Sequence, residues 1–132
     1  MSRPSVAGVA AGALLVLTAC GSPGAAASCV GPQVNVTPTT FAAGDEIRVA
    51  GEFFWDDCYD GGQPGTPPAT ENVVVRLVPA GAAATTFVLT TVDADEDGDI
   101  DTAARVPDDV PPGPARIEAG SGRPVTVEVT AP

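Results

Sequence analysis

The sequence predicts an all-β protein whose folded part is an antiparallel β-sandwich of about seven strands. Seven segments alternate apolar and polar residues with a period of 2. Turns rich in Gly, Pro and Asp separate them, and the chain holds 15 Gly and 14 Pro. No segment keeps the 3.6-residue period of a helix over three turns. Strands with one apolar face are typical of two sheets packed face to face.

The chain begins with a predicted signal peptide. After Arg3, residues 6–17 are only Val, Ala, Gly and Leu. A membrane span needs about 20 apolar residues, so this run fits the apolar core of a cleaved signal better. It ends in Leu17-Thr18-Ala19-Cys20, which resembles the bacterial lipobox. The resemblance implies that Cys20 receives a diacylglycerol and becomes the mature N-terminus. An ordinary secretory signal with a chance Cys is the alternative.

The chain therefore divides into a lipoprotein signal peptide at 1–19, a lipidated Cys with a flexible tether at 20–28, and a sandwich domain at 29–132. The tether is small and uncharged, the composition of a flexible linker. Each lipid CH₂ buried in the bilayer contributes about 0.8 kcal/mol to membrane binding. The two acyl chains of a diacylglycerol, for example palmitate, would therefore anchor the protein firmly. We expect an exported protein, lipid-anchored to the outer face of the bacterial cell membrane.

The three cysteines are an odd number, and lipidation of Cys20 leaves Cys29 and Cys58 as a pair. Export places them in an oxidising compartment, where a disulfide persists. Closing a loop of about 30 residues stabilises a fold by about 3–4 kcal/mol in the chain-entropy model. Two free thiols, or a two-Cys metal site, are the alternatives, and the absence of His disfavours the metal site.

The strands are predicted in order at 34–36, 47–55, 73–77, 87–91, 100–106, 115–119 and 125–129. Thr37-Pro38 interrupts the first, and a Gly44-Asp45 turn precedes the second. In the fourth strand, Phe87, Leu89 and Thr91 are expected on one face. The intervening segments are a Gly/Pro loop at 58–70, an acidic turn at 93–99 and a proline-rich bend at 107–114.

Two stretches resemble bacterial surface immunoglobulin-like domains. The first is Val34-x-Val36-x-Pro38-x-x-Phe41-x-x-Gly44-Asp45-x-Ile47-x-Val49-x-Gly51. The second comprises Asp97-Gly98-Asp99-Ile100, then Val106-Pro107, then Pro112-Gly113-Pro114-Ala115. The resemblance implies an Ig-like sandwich on a secreted lipoprotein, and it implies no activity. In contrast to antibody domains, a Cys29–Cys58 bridge would fasten the N-terminal segment to a loop.

The charge balance excludes several function classes. The chain has 17 acidic residues against six basic ones, all Arg, and its formal charge is −11. Nucleic acid is therefore not an expected partner, because phosphates require basic patches. The absence of His excludes Ser-His-Asp and Cys-His catalysis. With 17 acids, a pair of carboxylates always exists somewhere, so it is no evidence for a glycosidase. We expect a protein that is not an enzyme.

The first candidate site is the acidic segment 93–101. Its Asp residues and Gly98 match the first half of an EF-hand calcium loop. The bidentate Glu that the motif requires at its twelfth position is replaced by Ala104. The candidate calcium ligands are Asp93, Asp95, Asp97, Asp99 and Asp101. The alternatives are a weak calcium site and a solvated hairpin turn.

The second candidate site is the segment 53–60, which combines four aromatic residues with three Asp. Aromatic faces beside carboxylates are suited to binding a sugar or a peptide. The residues proposed for such a recognition loop are Trp55, Asp56, Asp57, Tyr59 and Asp60. The alternative is that some of the rings fill the end of the core while the Asp residues serve turns and surface.

Together these observations predict a non-enzymatic, membrane-anchored surface lipoprotein. Its Ig-like module would bind a partner in the cell envelope or serve as a spacer there. Its expected partners are the membrane, through the lipid, and an envelope protein or glycan. No cofactor is expected, apart from the calcium alternative. A calcium-stabilised adhesion module using 93–101 is the second hypothesis. A small secreted hydrolase or an inhibitor is the third.

Overall fold

A computed structural model describes residues 30–59, 64–81 and 85–132. In these ranges the chain forms eight β-strands and no helix. The strands are β1 Gln33–Thr37, β2 Thr40–Ala42, β3 Glu46–Glu52, β4 Val73–Pro79, β5 Phe87–Val92, β6 Ile100–Arg105, β7 Gly113–Ala119 and β8 Val125–Thr130. The predicted all-β class is confirmed. The predicted signal peptide and tether lie outside the described residues.

The strands form two sheets. One has the order β1-β3-β6 and the other the order β2-β8-β7-β4-β5. The consecutive strands β4 and β5, and likewise β7 and β8, are neighbours in one sheet, whereas the chain crosses between the sheets at each of its other connections. All the pairings are antiparallel except that of β2 with β8, which is parallel. The expectation of a purely antiparallel sandwich is corrected in this one pair.

The eighth strand arises because the first predicted strand is followed by a second one in the other sheet. β1 pairs with β3, whereas β2 pairs with β8. Pro38, between them, has no N–H to continue the ladder of β1. The chain therefore leaves one sheet at Thr37 and joins the other at Thr40, so that one short segment connects both sheets.

The core is formed by the inward faces of both sheets. Its members with almost no exposed surface are Ile47, Val49, Phe54, Val75, Leu77, Ile100, Val106, Ile117 and Val129. No polar or charged side chain among the described residues is buried. Removal of these apolar side chains from water is the main force that holds the two sheets together.

The predicted face of β5 is wrong at Thr91, which is exposed. Val75 lies opposite Thr90, whereas Arg76 lies opposite Val88, so Leu89 is an extra residue in the register. A bulge of one residue reverses the alternation that follows it. As a result Thr90, rather than Thr91, lies beside the inward-facing Val75.

Three connections meet at one end of the sandwich, which we call the pocket end. They join β3 to β4, β5 to β6 and β7 to β8. The Phe54 N–H donates a hydrogen bond to the Gly98 carbonyl at 2.8 Å, and the Ala94 N–H donates to the Thr70 carbonyl at 2.9 Å. These bonds join the first two connections directly. The opposite end, which we call the far end, contains residues 38–45 and 106–113 together with the connection from β4 to β5.

Candidate binding pocket

The aromatic run that follows β3 is divided between the core and the surface. Phe54 is 1 % exposed, whereas Phe53 is 40 % exposed. The Phe54 ring occupies space that Gly51 leaves open, and it lies in ordinary contact distance of Gly120 and Gly122. A Cβ atom at Gly51 would lie 2.6 Å from this ring, and Cβ atoms at Gly120 and Gly122 would lie 3.8 and 3.6 Å from it. Phe54 therefore fills the end of the core, as one of the two alternatives for this segment predicted.

The next residue, Trp55, packs on the acidic turn. A Cβ atom at Gly98 would lie 2.5 Å from the indole Cε2, so the ring lies directly against the glycine backbone. Gly98 has φ of +78°, a conformation that favours glycine for a second reason. The two candidate sites, which are about 40 residues apart in the sequence, are therefore neighbours in the fold.

Backbone hydrogen bonds fix the loop around Trp55. Trp55 forms an isolated antiparallel bridge with Ala69. The Thr70 N–H donates to the Phe54 carbonyl at 3.0 Å, and the Asp56 N–H donates to the Pro68 carbonyl at 2.9 Å. The segment after β3 is therefore paired with the segment before β4, which holds the indole in a defined position.

Phe53 adopts an unusual backbone conformation at the edge of this loop. Its φ is +67°, in the left-handed region that a bulky side chain rarely occupies. The Trp55 N–H donates to the Phe53 carbonyl at 3.1 Å, which closes a tight turn. Strain of this kind costs on the order of 1–3 kcal/mol and is concentrated at functional sites in proteins. Here it accompanies the outward placement of a phenyl ring.

A pocket of about 480 Å³ opens between this loop and the start of the described chain. It is lined by Val30, Gly31, Pro32, Phe53, Trp55, Asp56, Asp57, Cys58, Tyr59 and Pro67. The chain has one Trp and one Tyr, and both line this pocket. Its volume falls within the range of small-ligand sites in proteins, about 300–1,000 Å³.

Four of the five residues proposed for a recognition loop line the pocket, namely Trp55, Asp56, Asp57 and Tyr59. Asp60 lies outside the described residues. The Asp56 and Asp57 side chains are on the exposed side of the loop. The Asp57 Oδ1 accepts a hydrogen bond from the Cys58 N–H at 2.7 Å, which orients this carboxylate locally.

Sequence reasoning missed several lining residues. Phe53 belongs to the aromatic run, but nothing in the sequence distinguished its ring from the buried ring of Phe54. Val30, Pro32 and Pro67 reach the pocket only through tertiary contacts. For these three, no local pattern in the sequence could have indicated the site.

Cys58 lines the pocket near Val30, the residue that directly follows Cys29. Cys58 is in a bonded state rather than a free thiol, and its partner lies outside the described residues. Cys20 and Cys29 also lie outside the described residues, so the Cys29–Cys58 pairing and the lipidation of Cys20 stay predictions.

In the acidic segment, Asp95 acts as the cap of a turn. Its Oδ1 accepts hydrogen bonds from the Asp97 N–H at 2.9 Å and from the Asp99 N–H at 3.0 Å. Its own N–H donates to the Asp99 carbonyl at 2.8 Å. This is the local hydrogen bonding expected of an Asp in a hairpin turn. It agrees with the turn alternative for this segment.

The two outermost Asp residues of the segment have protein partners elsewhere. The Asp93 Oδ1 accepts from the Asn72 N–H at 2.8 Å. Asp101, on β6, forms a bidentate ion pair with Arg48 on β3. In this pair the Arg48 Nε lies 2.7 Å from the Asp101 Oδ1. The hydrogen bond from Arg48 lowers the pKa of Asp101 below its ordinary value and raises that of Arg48. Asp95, Asp99 and Asp101 also line one shallow pocket, together with Glu52.

Among the described residues, no group of three or more His, Cys, Asp or Glu is arranged to hold a metal ion. All five candidate calcium ligands are described, and the contacts above account for Asp93, Asp95 and Asp101 without a cation. Calcium binding by this segment stays a prediction that no contact in the structure favours.

Comparisons with known proteins give this chain no family: no family model matches it, and no curated protein or solved structure matches it either. Within the described ranges, no helix is long and apolar enough to cross a membrane.

The pocket combines two kinds of chemistry. Phe53, Trp55 and Tyr59 offer aromatic surface, while Asp56 and Asp57 offer carboxylate oxygens that accept hydrogen bonds. No Arg is among its lining residues. Such a pocket can bind a ligand that has both a flat or apolar part and hydrogen-bond donors.

Proposed function

We propose that this chain is a non-enzymatic surface lipoprotein whose Ig-like sandwich binds an envelope ligand in the pocket at its pocket end. The observation that supports this proposal is the pocket itself. It collects the only Trp and the only Tyr of the chain beside two exposed carboxylates. A module that served only as a spacer in the envelope would not require an aromatic pocket with exposed carboxylates.

The backbone of Phe53 supports binding over spacing. A bulky residue with φ of +67° and a ring 40 % exposed gains little for the fold. Apolar side chains are normally placed where burial stabilises them, and strained residues persist where function selects them. The ring of Phe53 is better explained by contact with a ligand than by contact with the core.

The lipid anchor is proposed on the sequence of residues 17–20 and on the apolar run before it. Replacing Cys20 with Ser removes the sulfur that the diacylglycerol would modify. We expect Cys20→Ser protein to leave the membrane fraction after cell fractionation, while the unsubstituted protein stays there. Retention of the processed variant in the membrane fraction would refute the anchor.

The binding role is tested by cross-linking the full chain in the native cell envelope and identifying the adducts. A double variant, Phe53→Ala with Tyr59→Ala, removes two rings that line the pocket. Val88→Ala is the matched control, because Val88 is an apolar side chain, 62 % exposed, on β5, outside the pocket. We expect one adduct that the double variant loses and the control retains.

The other outcomes distinguish the remaining functions. An adduct that survives the double variant would place the binding surface elsewhere. No specific adduct at all would favour the spacer role. An adduct that appears only with millimolar calcium would favour the adhesion module, and an adduct with a secreted enzyme would favour the inhibitor.

A further inference from the structure

The loops that line the pocket carry acidic side chains, and the one cationic side chain of the described residues at this end is Arg123, in the β7–β8 connection. The described segments 53–59, 64–72 and 93–99 hold two, one and five acidic residues respectively, and none holds Lys or Arg. Fields from like charges add, and the eight acidic residues outweigh Arg123, so this end of the sandwich has a negative potential. The pocket lies within it and is lined by two of these acids, Asp56 and Asp57.

The aromatic rings favour the same sign of ligand. The face of an aromatic ring is the negative side of its quadrupole, and it attracts cations that approach within about 6 Å of its centre. Trp is the aromatic residue that attracts cations best, and Tyr also binds them. Trp55 and Tyr59 both line the pocket. The rings and the carboxylates therefore select a cation together.

Resting on the proposed binding function, we infer that the pocket binds an arginine side chain of a partner protein. A guanidinium is flat, stacks on aromatic faces and donates paired hydrogen bonds to a carboxylate. Asp56 and Asp57 supply the carboxylates, and Phe53, Trp55 and Tyr59 supply the faces. A volume of about 480 Å³ admits the whole side chain with its flanking backbone.

Arginine fits this pocket better than lysine does. An ammonium is compact and strongly hydrated, so it gains less from a flat aromatic surface than a guanidinium does. A neutral glycan would use the rings but would leave two carboxylates without a cation. The charge of the lining residues is therefore the feature that separates a basic protein partner from a sugar.

The chain carries its own reporter for the test. Trp55 is the only Trp, so intrinsic tryptophan fluorescence comes from the pocket alone. The full chain in detergent is titrated with the capped tripeptide Gly-Arg-Gly and with the same peptide carrying citrulline, a neutral analogue of arginine. We expect a saturable change with the arginine peptide and an affinity lower by about tenfold or more with citrulline.

Paired variants identify the carboxylates. Asp56→Asn with Asp57→Asn removes two charges and keeps an oxygen at each position, including the one that accepts from the Cys58 N–H. Asp108→Asn with Asp109→Asn removes the same two charges from an adjacent pair at the far end. We expect the first pair to lose the response and the second to keep it, with both proteins melting near the unsubstituted chain.

Several results would overturn the inference. They are equal affinity for the arginine and citrulline peptides, a response that both double variants retain, and saturable binding of an N-acetylglucosamine oligosaccharide instead of the peptides. If the arginine peptide gives no response while cross-linking still depends on Phe53 and Tyr59, the choice of ligand is wrong and the proposed binding function stands. If cross-linking is also independent of these rings, the pocket itself is wrong.

Discussion

The two ends of the sandwich close the same core by different means. At the far end, the Gly44 N–H donates to the Val106 carbonyl at 2.9 Å and the Val106 N–H donates to the Asp45 carbonyl at 2.8 Å. The apolar side chains there, Phe41 and Val110, are buried. Among the described residues of this end, no residue other than glycine has positive φ.

The pocket end closes the core with one ring, Phe54, and keeps others at the surface. Both non-glycine residues with positive φ in the described chain, Phe53 and Asn72, belong to its β3–β4 connection. One end of the fold thus meets the requirements of stability alone, whereas the other also carries strain and exposed aromatic surface. The difference is the reason why the proposed binding site is placed at the pocket end.

The largest expected effect is on the ring that closes the pocket end. Phe54→Ala should lower the free energy of unfolding by about 3–5 kcal/mol, because the buried ring leaves a cavity that three glycines cannot fill. Thermal and denaturant unfolding measure it. Val110→Ala removes a smaller side chain at the far end, so it should lower the free energy of unfolding by about 1–3 kcal/mol and leave Trp55 emission unchanged. A loss below about 1 kcal/mol for Phe54→Ala would contradict this role.

The next effect concerns the contact between the aromatic loop and the acidic turn. Gly98→Ala should cost about 2–3 kcal/mol, from positive φ and from collision with the Trp55 ring. Gly65 has φ of +90° with open space around it, so Gly65→Ala measures the backbone contribution alone. Chemical denaturation gives both values, and only the first variant should shift Trp55 emission. Equal costs would mean that the indole does not rest on Gly98.

A smaller effect should reveal the strain at Phe53. At most positions Ala is more stable than Gly by about 0.5–1 kcal/mol. At Phe53 the order should reverse by about 1 kcal/mol, because Gly accepts φ of +67° without strain. Comparing Phe53→Gly with Phe53→Ala by unfolding isolates the backbone, since both lack the ring. If Phe53→Ala is the more stable, the backbone at Phe53 is not strained and the contrast between the two ends is weakened.

The smallest effect lies between the two ends, on the outer face of the three-stranded sheet. Arg48 lowers the pKa of Asp101, so their ion pair stabilises the fold above the ordinary Asp pKa and is lost as pH falls through the lowered value. Both side chains are exposed, so the change in stability is small. In an NMR titration of carboxyl carbons, Arg48→Gln should return the Asp101 pKa toward 3.8. Arg116→Gln should leave it unchanged, and an unshifted Asp101 in the unsubstituted protein would refute the pairing.

The sequence was sufficient for the class of fold because period-2 alternation depends only on which face of a strand is buried. It was insufficient at Pro38 and Leu89. A change of sheet and a bulge are determined by the partner strand, which local alternation does not specify.

For the site, composition located the aromatic run but not the division of its rings. Phe53 and Phe54 are the same residue type in adjacent positions, and tertiary contacts, among them the close approach of Gly51 to Phe54, distinguish the buried ring from the exposed one. The alternation of Asp in 93–101 predicts a cation site, which stays a prediction, while the structure gives Asp93, Asp95 and Asp101 partners among N–H groups and Arg48. The choice between these partners depends on Asn72 and on β3, which are distant in the sequence.

The position of Val30 determines how the molecule would stand on a cell. Val30 lines the pocket, so the chain enters the domain at the pocket end, while β8 carries the C-terminus to the far end. With the lipid on Cys20 as proposed, residues 21–29 connect the lipid to the domain. Such a linker spans about 30 Å when fully extended and about 15–18 Å as a flexible coil. With that anchor, the pocket would lie at the end of the domain that is tethered to the bilayer. A partner protein held in the same membrane would then be within reach of the pocket.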